Sequence, residues 1–110
     1  MNFTLSLPPS TNAIWKIARN RMYKTAEAKA WEEEAFYVIK NQHRKEIMGN
    51  VYVGLEFFLK YDRDVDNMKL IMDVLAKAGI YKNDSQVTHL NIKKYKDNKN
   101  PRVEVVVAEL

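Results

Sequence analysis

Polar and apolar residues alternate at the start of the chain and put Phe3, Leu5 and Leu7 on one side of a strand over Asn2 to Leu7. Pro8-Pro9-Ser10-Thr11-Asn12 ends that strand as a loop. From Ala13 to Lys24, aromatic and basic residues mix without a period, which predicts mostly irregular chain. Thr25 suits a helix N-cap. Glu27 and Glu32 to Glu34 suit the first half of the helix that follows, and Lys40 and Arg44 suit its end. Ala28, Trp31, Ala35, Val38 and Ile39 recur at helical spacing, so a helix is predicted over 25–42. After a turn at Gly49-Asn50, Val51 to Tyr61 is rich in β-branched and aromatic residues and reads as a long strand. Val51, Val53, Leu55, Phe57, Leu59 and Tyr61 share one face of it, with Tyr52, Glu56, Phe58 and Lys60 on the other.

Asp66 or Asn67 opens a second helix, striped by Met68, Ile71, Met72 and Leu75 and stopped by Gly79. Ile80 to Ser85 is a loop. Gln86 to Tyr95 reads as a strand, Asp97 to Pro101 as a turn, and Val103 to Leu110 as the last strand of a hairpin. The expected fold is α+β, in the order β-α-β-α-β-β, with a small mixed sheet, two main helices and one domain over residues 1–110.

Composition narrows this little: 46% hydrophobic and 29% charged residues are ordinary for a soluble domain. No apolar stretch approaches a membrane span, and the N-terminus lacks the basic and apolar regions of a signal peptide. The absence of cysteine excludes disulfides, thiol nucleophiles and zinc–thiolate sites, and fits a reducing cytoplasm. Two histidines are too few for a histidine-rich metal site.

Charge adds more through its distribution. Lys and Arg outnumber Asp and Glu 18 to 14. Lys16, Arg19, Arg21, Lys24 and Lys29 cluster early and Lys93, Lys94, Lys96, Lys99 and Arg102 late, while acids gather at Glu32 to Glu34 and at Asp62, Asp64 and Asp66. A basic surface around an acidic centre suits a metal-dependent nuclease; a solvated, charge-mixed surface accounts for the same pattern. Trp15, beside basic residues and outside any period, is a candidate for base stacking or a dimer contact.

The candidate chemistry lies at Arg63-Asp64-Val65-Asp66-Asn67-Met68-Lys69 and at Asn83-Asp84-Ser85-Gln86-Val87. If the strand runs on to Asp66, the Cα atoms of Asp64 and Asp66 lie about 7 Å apart on one face. Such a pair can flank one divalent ion or reach two about 4 Å apart. Mg²⁺ favours such hard oxygens and leaves positions for water and phosphate. The following helix N-terminus favours anions at the same place. Asn67 suits either a cap or a hydrogen bond to a ligand carboxylate, and Lys69 suits charge stabilisation at a phosphate. Capping and dipole compensation alone also explain the tetrapeptide. Asp84 poses a distance problem. A helix of about 13 residues is about 20 Å long, and five or six residues walk back at most about 17–22 Å. Asp84 therefore joins the others either through a stretched return along the helix or in trans, in an intertwined dimer.

Pro8-Pro9-Ser10-Thr11-Asn12, Arg63-Asp64-Val65-Asp66-Asn67 with Lys69, Asp73-Val74-Leu75 and Asn83-Asp84-Ser85-Gln86-Val87, in that order, resemble the RusA family of Holliday junction resolvases. The resemblance covers nearly the whole chain. It implies a two-fold homodimeric, Mg²⁺-dependent endodeoxyribonuclease, with Mn²⁺ as a substitute, that cuts four-way DNA junctions with paired symmetric nicks. It also implies Asp64, Asp66 and Asp84 as the essential metal-holding acids, Lys69 as the essential lysine, and a phage or prophage origin. The expected partners are branched DNA and a second copy of the chain, with no membrane and no small-molecule cofactor. Arg19, Arg21, Lys24, Lys93, Lys94 and Lys96 are the candidates for gripping backbone phosphates. The sequence departs from the family pattern in one place: Lys69 and Asp73 each stand one residue closer to Asp66 than the pattern has them. One residue turns a helix by about 100°, so Lys69 enters the site only if the helix start is adjusted. A nuclease for other branched DNA or RNA, a non-catalytic DNA-binding module and a small structural dimer remain as alternatives.

Overall fold

The computed structural model describes residues 1–10, 15–18, 21–42, 45–65 and 67–110, with the backbone alone for Ala18 and Arg21. In chain order the elements are β1 (Asn2–Leu5), β2 (Trp15–Ala18), β3 (Arg21–Lys24), α1 (Ala26–Gln42), β4 (Val51–Leu59), α2 (Met68–Lys77), a 3₁₀ turn (Asp84–Gln86), β5 (Val87–Lys96) and β6 (Arg102–Glu109). The fold is α+β, with two helices and a mixed sheet. The helices fall where their apolar stripes predict them, and Thr25 caps α1 by accepting a hydrogen bond from the Ala28 N–H at 3.2 Å.

The four-stranded sheet has the order β1-β6-β4-β5. β6 runs antiparallel to both β1 and β4, and β5 runs parallel to β4. The expected β5–β6 hairpin does not form. β4 lies between the two strands, and the Asp97–Pro101 turn carries the chain across its end. The Asp97 N–H donates to the Leu59 carbonyl at 2.9 Å, and Asp97 Oδ1 accepts from the N–H groups of Lys99 and Asn100. The physical reason is burial. Val51, Val53, Leu55, Phe57 and Leu59 are all buried, so β4 is stabilised most at the centre of the sheet, with a strand on each side. These residues share one core with Phe3 and Leu5, with Val103, Val105 and Val107, with Ala28, Trp31, Ala35 and Ile39 of α1, and with Leu70, Ile71, Val74 and Leu75 of α2.

The opposite sheet face is only partly buried. There the register sets Phe58 of β4 between Tyr95 and Arg102. Tyr95 stacks on Phe58 with ring centroids 5.1 Å apart, and the Arg102 guanidinium lies 4.0 Å from the Phe58 centroid. Phe58 therefore belongs to this surface and not to the core.

Two further expectations are corrected. The segment from Ala13 to Lys24, read as irregular, carries the antiparallel pair β2–β3. Its cross-strand residues Ile17 and Met22 are 73% and 64% exposed, so no core-facing period marked these strands. The observed order is thus β-β-β-α-β-α-β-β. Strand β4 also ends at Leu59, and Tyr61 is exposed. Asp64 consequently lies in irregular chain, and the alternate-position strand geometry proposed for Asp64 and Asp66 does not apply.

Candidate active site

The junction between β4 and α2 is held by the first loop of the chain. Pro8 and Pro9 are buried, and their carbonyls face this junction. Arg63 Nη2 donates to the Pro8 carbonyl at 3.0 Å. Asn67 Nδ2 donates to the Pro8 and Pro9 carbonyls at 3.1 and 2.9 Å. Asn67 precedes α2, but its side chain makes no capping hydrogen bond. It is 2% exposed, and its Oδ1 is buried without a hydrogen-bond partner among the described residues. The capping role suggested by its position is not seen. Asn67 instead ties the Pro-Pro loop to the start of the helix. The Asp64 carboxylate is exposed and has no ion pair or hydrogen bond among the described residues. Asp66 lies outside the described residues.

At the other end of α2 the chain reverses sharply. Gly79 has φ 88°, and the Gly79 and Ile80 N–H groups donate to the carbonyls of Ala76 and Leu75. This is the Schellman arrangement that glycine permits without strain. The following residues then return along the helix. Ile47 N–H donates to the Ile80 carbonyl at 2.8 Å, and the buried Tyr81 hydroxyl donates to the Met72 carbonyl at 3.0 Å. Gln86 fixes the next turn. Its Oε1 accepts from the N–H groups of Lys82 and Asn83, and its Nε2 donates to the carbonyls of Ile47 and Gly49. Asn83 completes a reciprocal capping box with Gln86. α2 has 10 residues, about 15 Å at the usual rise, so the return is short enough to reach its first turn.

That path brings Asp84 to Lys69 within one chain. Lys69 Nζ lies 2.5 Å from Asp84 Oδ2 and 3.4 Å from Asp73 Oδ1. Lys69 meets Asp84 because α2 starts at Met68 and its first turn faces the 3₁₀ turn. The hydrogen bond that Lys69 donates to Asp84, with the nearby Asp73 charge, raises the pKa of the Lys69 ammonium above the usual lysine range. Burial pushes the Tyr81 phenol up, and the Asp84 and Asp73 charges push it further, so Tyr81 stays a neutral donor.

Sequence reasoning gave no role to Asp73, Gln86 or Tyr81. Asp73 stands one helical turn after Lys69, and Asn83-x-x-Gln86 is a capping-box spacing, so both had a local signal. Tyr81 had none.

Of the candidate phosphate-gripping residues, Lys24 pairs with Glu32 and sits 5.8 Å from the centroid of the Trp15 ring. Lys77 reaches the same Glu32 at 3.2 Å. Lys94 donates to Asp62 at 2.8 Å and to the Arg63 carbonyl at 3.2 Å, which ties β5 to the segment before α2. Leu59, Asp62, Lys94, Tyr95 and Lys96 line a cleft of about 350 Å³ there. Lys93 and Lys96 are exposed, without an ion pair among the described residues. Arg19 and the Arg21 side chain lie outside the described residues, as do His43 and Arg44.

Comparison with known proteins first gives the class: the chain is a nuclease, a phosphodiester hydrolase. It belongs to the endodeoxyribonuclease RusA family, whose family model matches residues 6–108. It is 30% identical over 118 aligned residues to the crossover junction endodeoxyribonuclease RusA of Escherichia coli strain K12, with 99% of this chain and 94% of that protein covered. The protein of the same name from Shigella sonnei strain Ss046 is also 30% identical, and that of Enterobacteria phage 82 is 29% identical, both at the same coverage.

Proposed function

We propose that this chain is a single-domain, Mg²⁺-dependent endodeoxyribonuclease that resolves four-way DNA junctions by paired symmetric nicks, in DNA recombination and repair. The family match along almost the whole chain supports this reading, and so does the return of the chain that sets Asp84 against Lys69. Asp64, Asp66 and Asp84 would hold the metal, with Mn²⁺ as a substitute. The donor chemistry fits a hard divalent ion: Asp84 already engages a cation, and Asp64 offers an exposed carboxylate. When bound, the metal supplies a Lewis acid for phosphodiester hydrolysis. Lys69, placed by the first turn of α2, offsets negative charge on phosphate oxygens. Asn67 and Arg63 hold the junction that carries Asp64, and Gln86 holds the turn that carries Asp84.

Two symmetric cuts need two sites, which a two-fold homodimer supplies. Lys24, Lys93, Lys94 and Lys96, with Arg19 and Arg21, would contact backbone phosphates, leaving junction shape and deformability to set preference. The relative from Enterobacteria phage 82 supports a phage or prophage origin, and DNA as substrate puts the enzyme in the cytoplasm of a bacterial or phage-infected cell.

The test is junction cleavage by the Asp66→Asn and Asp84→Asn proteins. Both should lose cleavage of a four-way junction in Mg²⁺ while still binding it. Undiminished cleavage by either removes that residue from the metal site. Nicking of flaps or RNA in preference to junctions would redirect the substrate, and binding without nicking by the wild-type protein would leave a DNA-binding module.

A further inference from the structure

Lys69 stands where a helix least favours a cation. It lies in the first turn of α2, at the positive end of the helix dipole. Asp73 follows it by four residues, the weaker order for a helical ion pair, with the base towards the N-terminus and the acid after it. Neither residue is explained by helix stability. The pair makes sense only with Asp84: one ammonium is bracketed by two carboxylates from different elements, nearer to Asp84 at 2.5 Å and within reach of Asp73 at 3.4 Å. The lysine side chain is 69% exposed and each carboxylate 34%, so the ammonium has room to move between them. An ammonium is a compact charge on a flexible stem with three donors, suited to such an exchange.

We infer that Lys69 is an internal counter-ion of Asp84 that gives way to the divalent metal, and that Asp73 is the positioning residue that takes the ammonium over. This rests on the metal-site reading of Asp84. Without metal, Lys69 neutralises Asp84. When a divalent ion takes the Asp84 carboxylate, Lys69 shifts its hydrogen bond to Asp73 and stays beside the site, where it faces the phosphate. Removing Lys69 therefore frees Asp84 for metal. Removing Asp73 leaves Lys69 bound more firmly to Asp84 and weakens metal binding only through the lysine.

The test is Mn²⁺ binding to the full-length protein without DNA, read by electron paramagnetic resonance of free Mn²⁺, in a double-mutant cycle. Lys69→Met should tighten Mn²⁺ binding about two- to fivefold, the span of an exposed ion pair. Asp73→Asn should weaken it by a similar factor, and Asp73→Glu should restore it. In the Lys69→Met background, Asp73→Asn should change the affinity by no more than about 1.5-fold, whereas independent sites add. Equal weakening by Asp73→Asn in both backgrounds overturns the inference, because Asp73 would then act as a ligand or as a general charge. An unchanged affinity in Lys69→Met overturns it as well. The metal-site reading fails separately, if Asp84→Asn binds Mn²⁺ as the wild type does. Melting curves without metal check that each variant is folded.

Discussion

Asn67→Ala tests how the Pro-Pro loop holds the start of α2. The substitution removes two hydrogen bonds, to the Pro8 and Pro9 carbonyls at 3.1 and 2.9 Å. Each contributes about 1 kcal/mol net. The Pro8 carbonyl keeps Arg63 as a donor, but the Pro9 carbonyl keeps no donor among the described residues, and an unpaired buried carbonyl costs about 1–3 kcal/mol. Against this, the alanine also removes the unpartnered Oδ1, which returns about 1 kcal/mol. The expected loss is about 2–4 kcal/mol, a large share of the roughly 5–15 kcal/mol typical of a domain. Urea unfolding should show a lower midpoint at unchanged slope, and the melting temperature should fall by about 10 °C. Asn67→Asp should be worse than alanine, since it turns a carboxylate onto two carbonyl oxygens in a buried site. A loss below about 0.5 kcal/mol for the alanine variant, or an aspartate variant more stable than it, would refute the reasoning.

Gln86→Ala should leave the core intact but loosen the turn that carries Asp84: faster hydrogen exchange at Lys82 and Asn83, with a marked fall in junction cleavage, is the expected pair of results. Tyr81→Phe removes a buried hydrogen bond to the Met72 carbonyl and should cost about 1 kcal/mol in urea unfolding while leaving Mn²⁺ affinity unchanged. For Glu32, burial raises the carboxyl, but the hydrogen bonds and charges of Lys24 and Lys77 outweigh it and hold it below its ordinary 4.5. Its contribution to stability is therefore complete above that ordinary value and is lost as pH falls through the lower folded one. Unfolding curves of wild type and Glu32→Gln should differ near neutral pH and converge in acid; a gap that widens in acid contradicts the pairing.

Much of the fold follows from local pattern. The face shared by Val51, Val53, Leu55, Phe57 and Leu59, the stripes of both helices, the Thr25 cap and the Gly79 stop are each set by residues within a few positions of one another. Periodicity and capping act at that range, so they are readable without a partner. The motif residues Lys69 and Asp84 were also legible, as types and positions. Tertiary structure decided what local pattern does not encode. β6 leaves β5 and pairs with β4 because burial on β4 outweighs the nearness of a hairpin. Among its described residues the β2–β3 pair has no core face to give it a period. Asn67 turns from helix capping to two proline carbonyls far away in sequence. Asp84 reaches Lys69 in the same chain because Gly79, Tyr81 and Gln86 direct the return along α2. The sequence by itself determined which faces are apolar and which residues carry charge. Only the folded chain decided which of those charges meet, because contacts between distant segments depend on the path of the loops and on which strand can bury the most.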